Sequence, residues 1–433
     1  MEIWLAIIVG FAILFSLLLG GIWIGVALTA TGIIGLHLFT GLSVENIVGT
    51  VIWNVNNKFE LVALPLFIFM GELLSKGGAI EDLFTGLSSW TTRLPGKLLH
   101  ANILSCSFFA AVSGSSAATT ATVGRITLPE FRKRNYDFAL SIGSLAGAGT
   151  LGFLIPPSVI MIVYGALTAQ SIGQLFIAGV VPGIMVSFMF MGYIAVRGII
   201  NPGITPAIDV FSWHDRARSF VLIAPTVALI IAVLGSIYLG WATATESAAI
   251  GVFGAVVIGL VRRSLTWTSF KTCMYSAVNT TCMCMLIITG ASLLSVFMTF
   301  MGIPTKVAEA VVGSGISTYG ILALLAVFYI FLGCLLDGFS MLVTTLPVTY
   351  PLVVHIMGYD PIWFGIVLVV LIEIAQITPP VGFNLFIIQD LAKIEITEVA
   401  KYAFPFFLLL LVALVILTAW PGIPLWLPQQ MIR

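Results

Sequence analysis

Gly149-Thr150-Leu151-Gly152-Phe153-Leu154-Ile155-Pro156-Pro157-Ser158 and Gln376-Ile377-Thr378-Pro379-Pro380-Val381-Gly382-Phe383-Asn384-Leu385 each interrupt a long apolar run with a Pro-Pro pair. These are the only two Pro-Pro pairs in the 433 residues, and they lie 223 positions apart. Tyr136-Asp137 and Tyr359-Asp360, the only Tyr-Asp pairs, keep the same offset, as do Pro182 and Pro405. Three kinds of marker held in register over half a chain describe a duplication. Proline removes a backbone donor and breaks a helix. Inside a bilayer the freed groups are tolerated only where protein or a water-filled cavity satisfies them. Broken helices in corresponding positions of two halves point to a transporter's binding site.

Composition places the chain in a membrane. It is 60% hydrophobic and 8% charged, with a mean hydropathy of +1.14, far from soluble domains. A formal net charge of zero with scattered basic residues offers no stripe for phosphate backbones, which excludes nucleic acid as a partner. The N-terminus has neither the basic region nor the cleavage site of a signal peptide, so it reads as a retained first span. The five cysteines read as small buried apolar side chains, and Cys282-Met283-Cys284 lacks further ligands at metal-site spacing.

Apolar segments at about 3–18, 21–38, 59–76 and 174–197, and again at about 219–238, 243–262, 273–300 and 402–420, read as membrane spans. Segment 98–131 is different. His100 to Ser113 is 14 residues, about 20 Å of helix, before Ser113-Gly114-Ser115-Ser116 interrupts it. A re-entrant hairpin with a polar tip fits, and 319–356, with Asp337-Gly338-Phe339-Ser340 at its tip, reads the same way. Segments 80–92 and 304–314 read either as helices lying in the membrane plane or as loops with one helical turn. The broken helices cover 138–170 and 361–391. Residues 1–200 form one repeat, 201–218 a linker marked by Pro202, Gly203 and Pro206, and 219–433 the second repeat.

Basic residues orient the halves. Arg125, Arg132, Lys133 and Arg134 follow the first hairpin, whereas the matching stretch of the second half has only His355 and Asp360. The halves therefore insert upside down relative to each other. Five crossings per half place Arg262, Arg263 and Lys271 on the cytoplasmic side too, and both termini outside.

In an inverted repeat two tips and two breaks can meet near the midplane. Hydroxyls and freed carbonyls are hard oxygen donors for an alkali cation, while helix N-termini beyond the breaks favour an anion. The cation set is Ser113, Gly114, Ser115, Gly149, Thr150 and Gly152 in the first half, with Asp337, Gly338, Gln376 and Thr378 in the second. Ser116, Thr119, Pro156 and Pro157, with Ser340, Pro379, Pro380 and Asn384, form the set for an organic anion. Thr119, Thr120 and Thr122 also have the small-residue spacing that lets helices approach closely. Asp337 and Glu373 are intramembrane acids read as functional, Glu373 as a coupling residue at the position matching Thr150. Glu72 and Glu246 read as structural, and the Arg125–Arg134 cluster as a topology determinant. His37, His100, His214 and His355 are scattered, no HExxH or GxSxG occurs, and there is no Walker A motif, which excludes the usual hydrolases and ATPases.

Beyond these readings, the chain resembles the large membrane subunit of TRAP (tripartite ATP-independent periplasmic) transporters, the DctM-like family, along its whole length. Ala63-Leu64-Pro65-Leu66-Phe67-Ile68-Phe69-Met70-Gly71 is similar to the family's stretch before its first arm, Ala111-Val112-Ser113-Gly114-Ser115-Ser116-Ala117 to its first hairpin tip, and the two Pro-Pro segments to its helix breaks. Where the family commonly has Thr-Pro-Thr-Glu-Ala, this chain reads Thr243-Ala244-Thr245-Glu246-Ser247. The resemblance implies an all-α integral membrane protein of the inverted-repeat elevator type, with about ten crossings, two re-entrant hairpins and two broken helices. It implies no enzymatic activity and no cofactor, with sodium as coupling ion. It further implies a bacterial inner-membrane site among lipid, a separate small four-helix membrane subunit, and a periplasmic binding protein that delivers the solute.

Overall fold

A computed structural model describes residues 2–41, 43–206, 211–379 and 382–431. Among them every regular element is a helix. The first half runs α1 (Glu2–Leu19), α2 (Ile24–Phe39), α3 (Val44–Asn56), α4 (Ala63–Lys76), α5 (Ala79–Thr91), α6 (Leu98–Ser113), α7 (Ser116–Lys133), α8 (Phe138–Thr150), α9 (Val159–Thr168) and α10 (Ile172–Ile200). The second runs α11 (Trp213–Tyr238), α12 (Ala244–Val261), α13 (Trp267–Phe300), α14 (Ile303–Gly313), α15 (Thr318–Leu332), α16 (Gly338–Tyr350), α17 (Pro361–Gln376), α18 (Phe383–Ala392) and α19 (Ile396–Ala419), then the short α20 (Gly422–Trp426).

The helix starts repeat to within one residue of the proline spacing: 116, 138, 159 and 172 in one half, 338, 361, 383 and 396 in the other. The Tyr-Asp pairs have a structural cause. Asp137 caps α8, accepting from the Leu140 amide at 2.7 Å, and Asp360 caps α17, accepting from the Ile362 and Trp363 amides at 2.8 and 3.0 Å. An aspartate oxygen there satisfies amides that lack an intrahelical partner. Pro182 and Pro405 lie inside α10 and α19.

Among the described residues six helices are long and apolar enough to cross a bilayer: α10, α11, α12, α13, α19 and the stretch Gly338–Ile356, formed by α16 and the turn beyond it. The last is the second arm of the expected hairpin at 319–356, so that arm is itself of spanning length. Several edges differ from the sequence reading. α11 takes up residues 213–218 of the expected linker, α13 starts at 267 rather than 273, and α19 at 396 rather than 402. In each case a polar or capping start (Ser212, Thr266, Glu395) precedes the apolar run that hydropathy detects. α3 was not anticipated, because its polar residues dilute its hydropathy. With the turn at Phe59–Val62 and α4, it occupies the place that one continuous helix, α13, holds in the second half. Segments 80–92 and 304–314 are helices, α5 and α14. Pro380 lies outside the described residues, as do linker residues 207–210, Met1 and residues 432–433.

Two groups of helices frame the site. α2 and α4 pack on α13, with α12 against α4 and α11 against α5. The hairpins and broken helices form the other group: α8 lies against α6, α7, α18 and α19, and α17 against α15, α16, α10 and α19. The α2–α13 crossing is close. A Cβ on Gly32 would lie 2.7 Å from the Leu293 carbonyl carbon, and one on Gly290 would lie 2.5 Å from the Gly25 oxygen. Small residues at such crossings let backbones approach and gain dispersion contact where lipid offers no hydrophobic driving force. Gly32→Leu and Gly290→Leu should each destabilise the protein by at least the ~1–3 kcal/mol typical of overpacking, read as a lowered unfolding temperature in detergent.

Candidate functional site

Each hairpin tip lies on a helix break. α6 ends at Gly114, which adopts φ 60°, and Ser115 caps α7, its hydroxyl accepting from the Ala118 amide at 3.3 Å. The Val159 amide, at the start of α9, donates to the Gly114 carbonyl at 3.2 Å. Backbone groups freed by the Pro156-Pro157 break are thus used by the tip, as an apolar setting demands. Glycine permits the approach: a Cβ on Gly152 would lie 2.5 Å from the Ser115 carbonyl oxygen, and one on Gly149 would lie 2.0 Å from the Thr120 hydroxyl oxygen.

The second half is built alike with different chemistry. Asp337 caps α16, accepting from the Phe339 amide at 3.0 Å and, more weakly, from the Ser340 amide at 3.5 Å, and its other oxygen accepts from the Ser340 hydroxyl. Only residues 333–337 lie between α15 and α16, so Gly338 to Ser340 belong to the first helical turn rather than to the tip. A Cβ on Gly333 would meet the Ala375 carbonyl oxygen at 2.5 Å. Thr378 donates to the Ile374 carbonyl at 2.6 Å.

Two contacts join the halves at the breaks. Asn384, at the start of α18, donates to the Ser116 hydroxyl at 2.6 Å, both side chains buried. Gly338 meets the Phe153 ring across the first break. Glu373 lies beside the Leu154 backbone, but that amide hydrogen goes to the Leu151 carbonyl. The carboxylate is therefore fully buried with both oxygens unpartnered. Thr150, its counterpart, is satisfied by the Gly147 carbonyl at 2.8 Å. Gln376 Nε2 and Asn384 Oδ1 are likewise buried without partners.

A cavity of about 1330 Å³ separates the two helix groups. Of the residues expected at the site, Ser113, Ser115, Asp337, Gly338 and Gln376 line it. Gly149, Thr150, Gly152, Pro156, Pro157 and Thr378 are buried behind this surface, in and around the breaks, whereas Pro379 is exposed. Ser116, Thr119, Ser340 and Asn384 are fully buried and engaged with one another or with the caps: Thr119 binds the Ser113 hydroxyl at 2.9 Å and the Ser115 carbonyl at 2.8 Å.

Other lining residues were not foreseen. α7 presents Ala118, Ala121, Thr122 and Arg125, a stripe at spacings of three and four that follows directly from the tip. That periodicity was the available signal, and it gives Arg125 a place in the cavity beyond its reading as a topology marker. Glu72, Lys76 and Cys282 also face it. Glu72 accepts from Ser276 at 2.8 Å, and Glu246 forms a capping box with Thr243 in the segment where the proline is missing. Cys282 is exposed, whereas Cys106, Cys273 and Cys284 are buried. It departs from the expectation of buried cysteines because its position on α13 faces the cavity. Among the described residues no three His, Cys, Asp or Glu side chains gather as a metal cluster.

The fold is that of a multi-pass helical membrane protein. It is similar to that of the YdaH transporter of Alcanivorax borkumensis, with a TM-score of 0.62 over 87% of this chain and 88% of that one at 15% identity, a likeness of fold alone. Residues 11–423 match the model of the family described as tripartite ATP-independent periplasmic transporter, DctM component, and the chain belongs to that family. It is 34% identical over 375 residues to the isethionate TRAP transporter permease protein DctMQ of Oleidesulfovibrio alaskensis, covering 86% of this chain and 58% of that relative's length. Identity is also 34% over 406 residues, 93% of this chain and 94% of the relative, to the C4-dicarboxylate TRAP transporter large permease protein DctM of Pseudomonas aeruginosa. The chain is therefore a permease component and not an enzyme.

Removing the Asn384 amide strands the buried Ser116 hydroxyl, a loss of about 1–3 kcal/mol. Thermal unfolding of Asn384→Ala, Ser116→Ala and the double variant should show the double variant losing less than the sum of the singles, because the residues share one bond.

Proposed function

We propose that the chain is the large subunit of a sodium-coupled importer of organic anions. It works with a separate small membrane subunit, and a periplasmic binding protein delivers the solute. The meeting of the tips and breaks of both halves at one cavity, tied together by Asn384 and Ser116, carries this reading. Residues 1–200 and 219–433 act as inverted repeats in the bacterial inner membrane, both termini periplasmic, and the hairpins and broken helices move together as an elevator.

Sodium is held by hydroxyls and backbone oxygens at each tip and break: Ser113, Gly114, Ser115, Gly149, Thr150 and Gly152 on one side, Asp337, Gly338, Gln376 and Thr378 on the other. Hard oxygen donors suit such an ion. Glu373 couples to it, since a buried carboxylate without a partner gains most from a nearby cation. The anion sits against the tips, near the starts of α7, α9, α16 and α18, whose positive dipole ends favour negative charge. Relatives named for a sulfonate and for a dicarboxylate stand at equal identity, which supports the anionic class and leaves selection within it to the binding protein.

Uptake into proteoliposomes holding both membrane subunits, with the binding protein and a sodium gradient, tests this. Ser115→Trp and Thr378→Trp should each abolish sodium-driven uptake while the protein remains folded. Wild-type rates in both variants would remove the tips and breaks from the ion site. Uptake that needs no binding protein would favour a stand-alone symporter of the same architecture.

A further inference from the structure

Both half-helices that restart after a break, α9 and α18, end at a left-handed residue, Ala169 and Lys393. The carbonyls of their last turns have no helical partner and attract a cation. Each finds one. In α18 the Arg132 guanidinium donates to the Ala392 carbonyl at 2.5 Å. In α9 the Lys58 ammonium donates to the Ala166 carbonyl at 2.6 Å.

The two caps differ in where the cation is mounted. Arg132 is on α7, which packs on α18, so it stays with the helix it caps. Lys58 lies in the turn between α3 and α4, with the other helix group, and its bond crosses between the groups. It also lies at the closed end. The cavity is lined by Glu72, Ser75 and Lys76 at the far end of α4, whereas near Lys58 the start of α4 and the preceding turn pack against α9.

The repeat shows what this contact lacks on the other side. The position matching Lys58 is Thr281, inside the uninterrupted α13, and its hydroxyl donates to the Ala277 carbonyl of its own helix. That position supplies no cation to the end of α18.

We propose that Lys58 is a gate residue that latches the end of α9 and holds the protein with its cavity open on the Lys76 side. When the hairpin group slides to open the opposite side, the latch breaks and no equivalent one forms. The resting state is therefore biased toward the conformation seen here. This inference rests on the two-state elevator reading proposed above.

Cys282 supplies a native reporter, because it is exposed in the cavity and would be covered once the hairpin group moves. In nanodiscs, alkylation at Cys282 followed by mass spectrometry should slow severalfold in Lys58→Met and stay at the wild-type rate in Lys58→Arg. The pair K58C and A166C, once oxidised, should keep the wild-type Cys282 rate and block uptake until reductant is added. An unchanged or faster Cys282 rate in Lys58→Met, or full uptake by the cross-linked pair, would overturn the latch. These rates need no substrate, so a wild type without sodium-driven uptake would defeat the transport reading and leave the latch test standing.

Discussion

A helix that stops inside an apolar layer must find partners for the backbone groups it leaves open. The molecule meets that demand by setting the tip of each hairpin on the break of a neighbouring helix. The Val159 amide takes the Gly114 carbonyl, and Gly149 and Gly152 let α7 come close enough for this. The restarted helices then expose fresh N-termini beside the tips, and their far ends are capped by Arg132 and Lys58. The cavity lies where tips and breaks are gathered.

Duplication gave two copies of this arrangement, and the differences between them carry the asymmetry that a directional machine needs. Thr150 closes its own hydrogen bond, whereas Glu373 at the matching position is buried with both oxygens open. Burying an unpaired carboxylate is costly, a cost that the Thr150 side does not carry. The first tip is capped by the Ser115 hydroxyl and the second by the Asp337 carboxylate, which also holds Ser340. Likewise, the turn that separates α3 from α4 and carries Lys58 is smoothed into the continuous α13 in the second half.

Much of this was legible in the chain. The Pro-Pro pairs mark the breaks and the Tyr-Asp pairs mark caps, because proline lacks an amide hydrogen and aspartate supplies a missing acceptor. Tip composition showed where helices reverse, since runs of small polar residues pack poorly against lipid. Hydropathy failed where polarity and helicity diverge: α3 is a helix rich in asparagine, and α11, α13 and α19 extend past their apolar runs. The place of Arg125 and Cys282 on the cavity was hidden for another reason. Whether such a residue faces lipid, protein or a cavity depends on which helix is packed opposite.

Sequence by itself settled the membrane class, the doubled architecture, the places where helices break, and the family, since these follow from local composition and from spacing that any observer can count. Tertiary structure alone decided that Ser116 is spent on Asn384 rather than left facing a ligand. It also decided that Glu373 has no partner, and that Lys58 reaches the end of α9. Each of these depends on atoms far apart in the chain being brought within about 3 Å of one another, a relation that only the packed helices define.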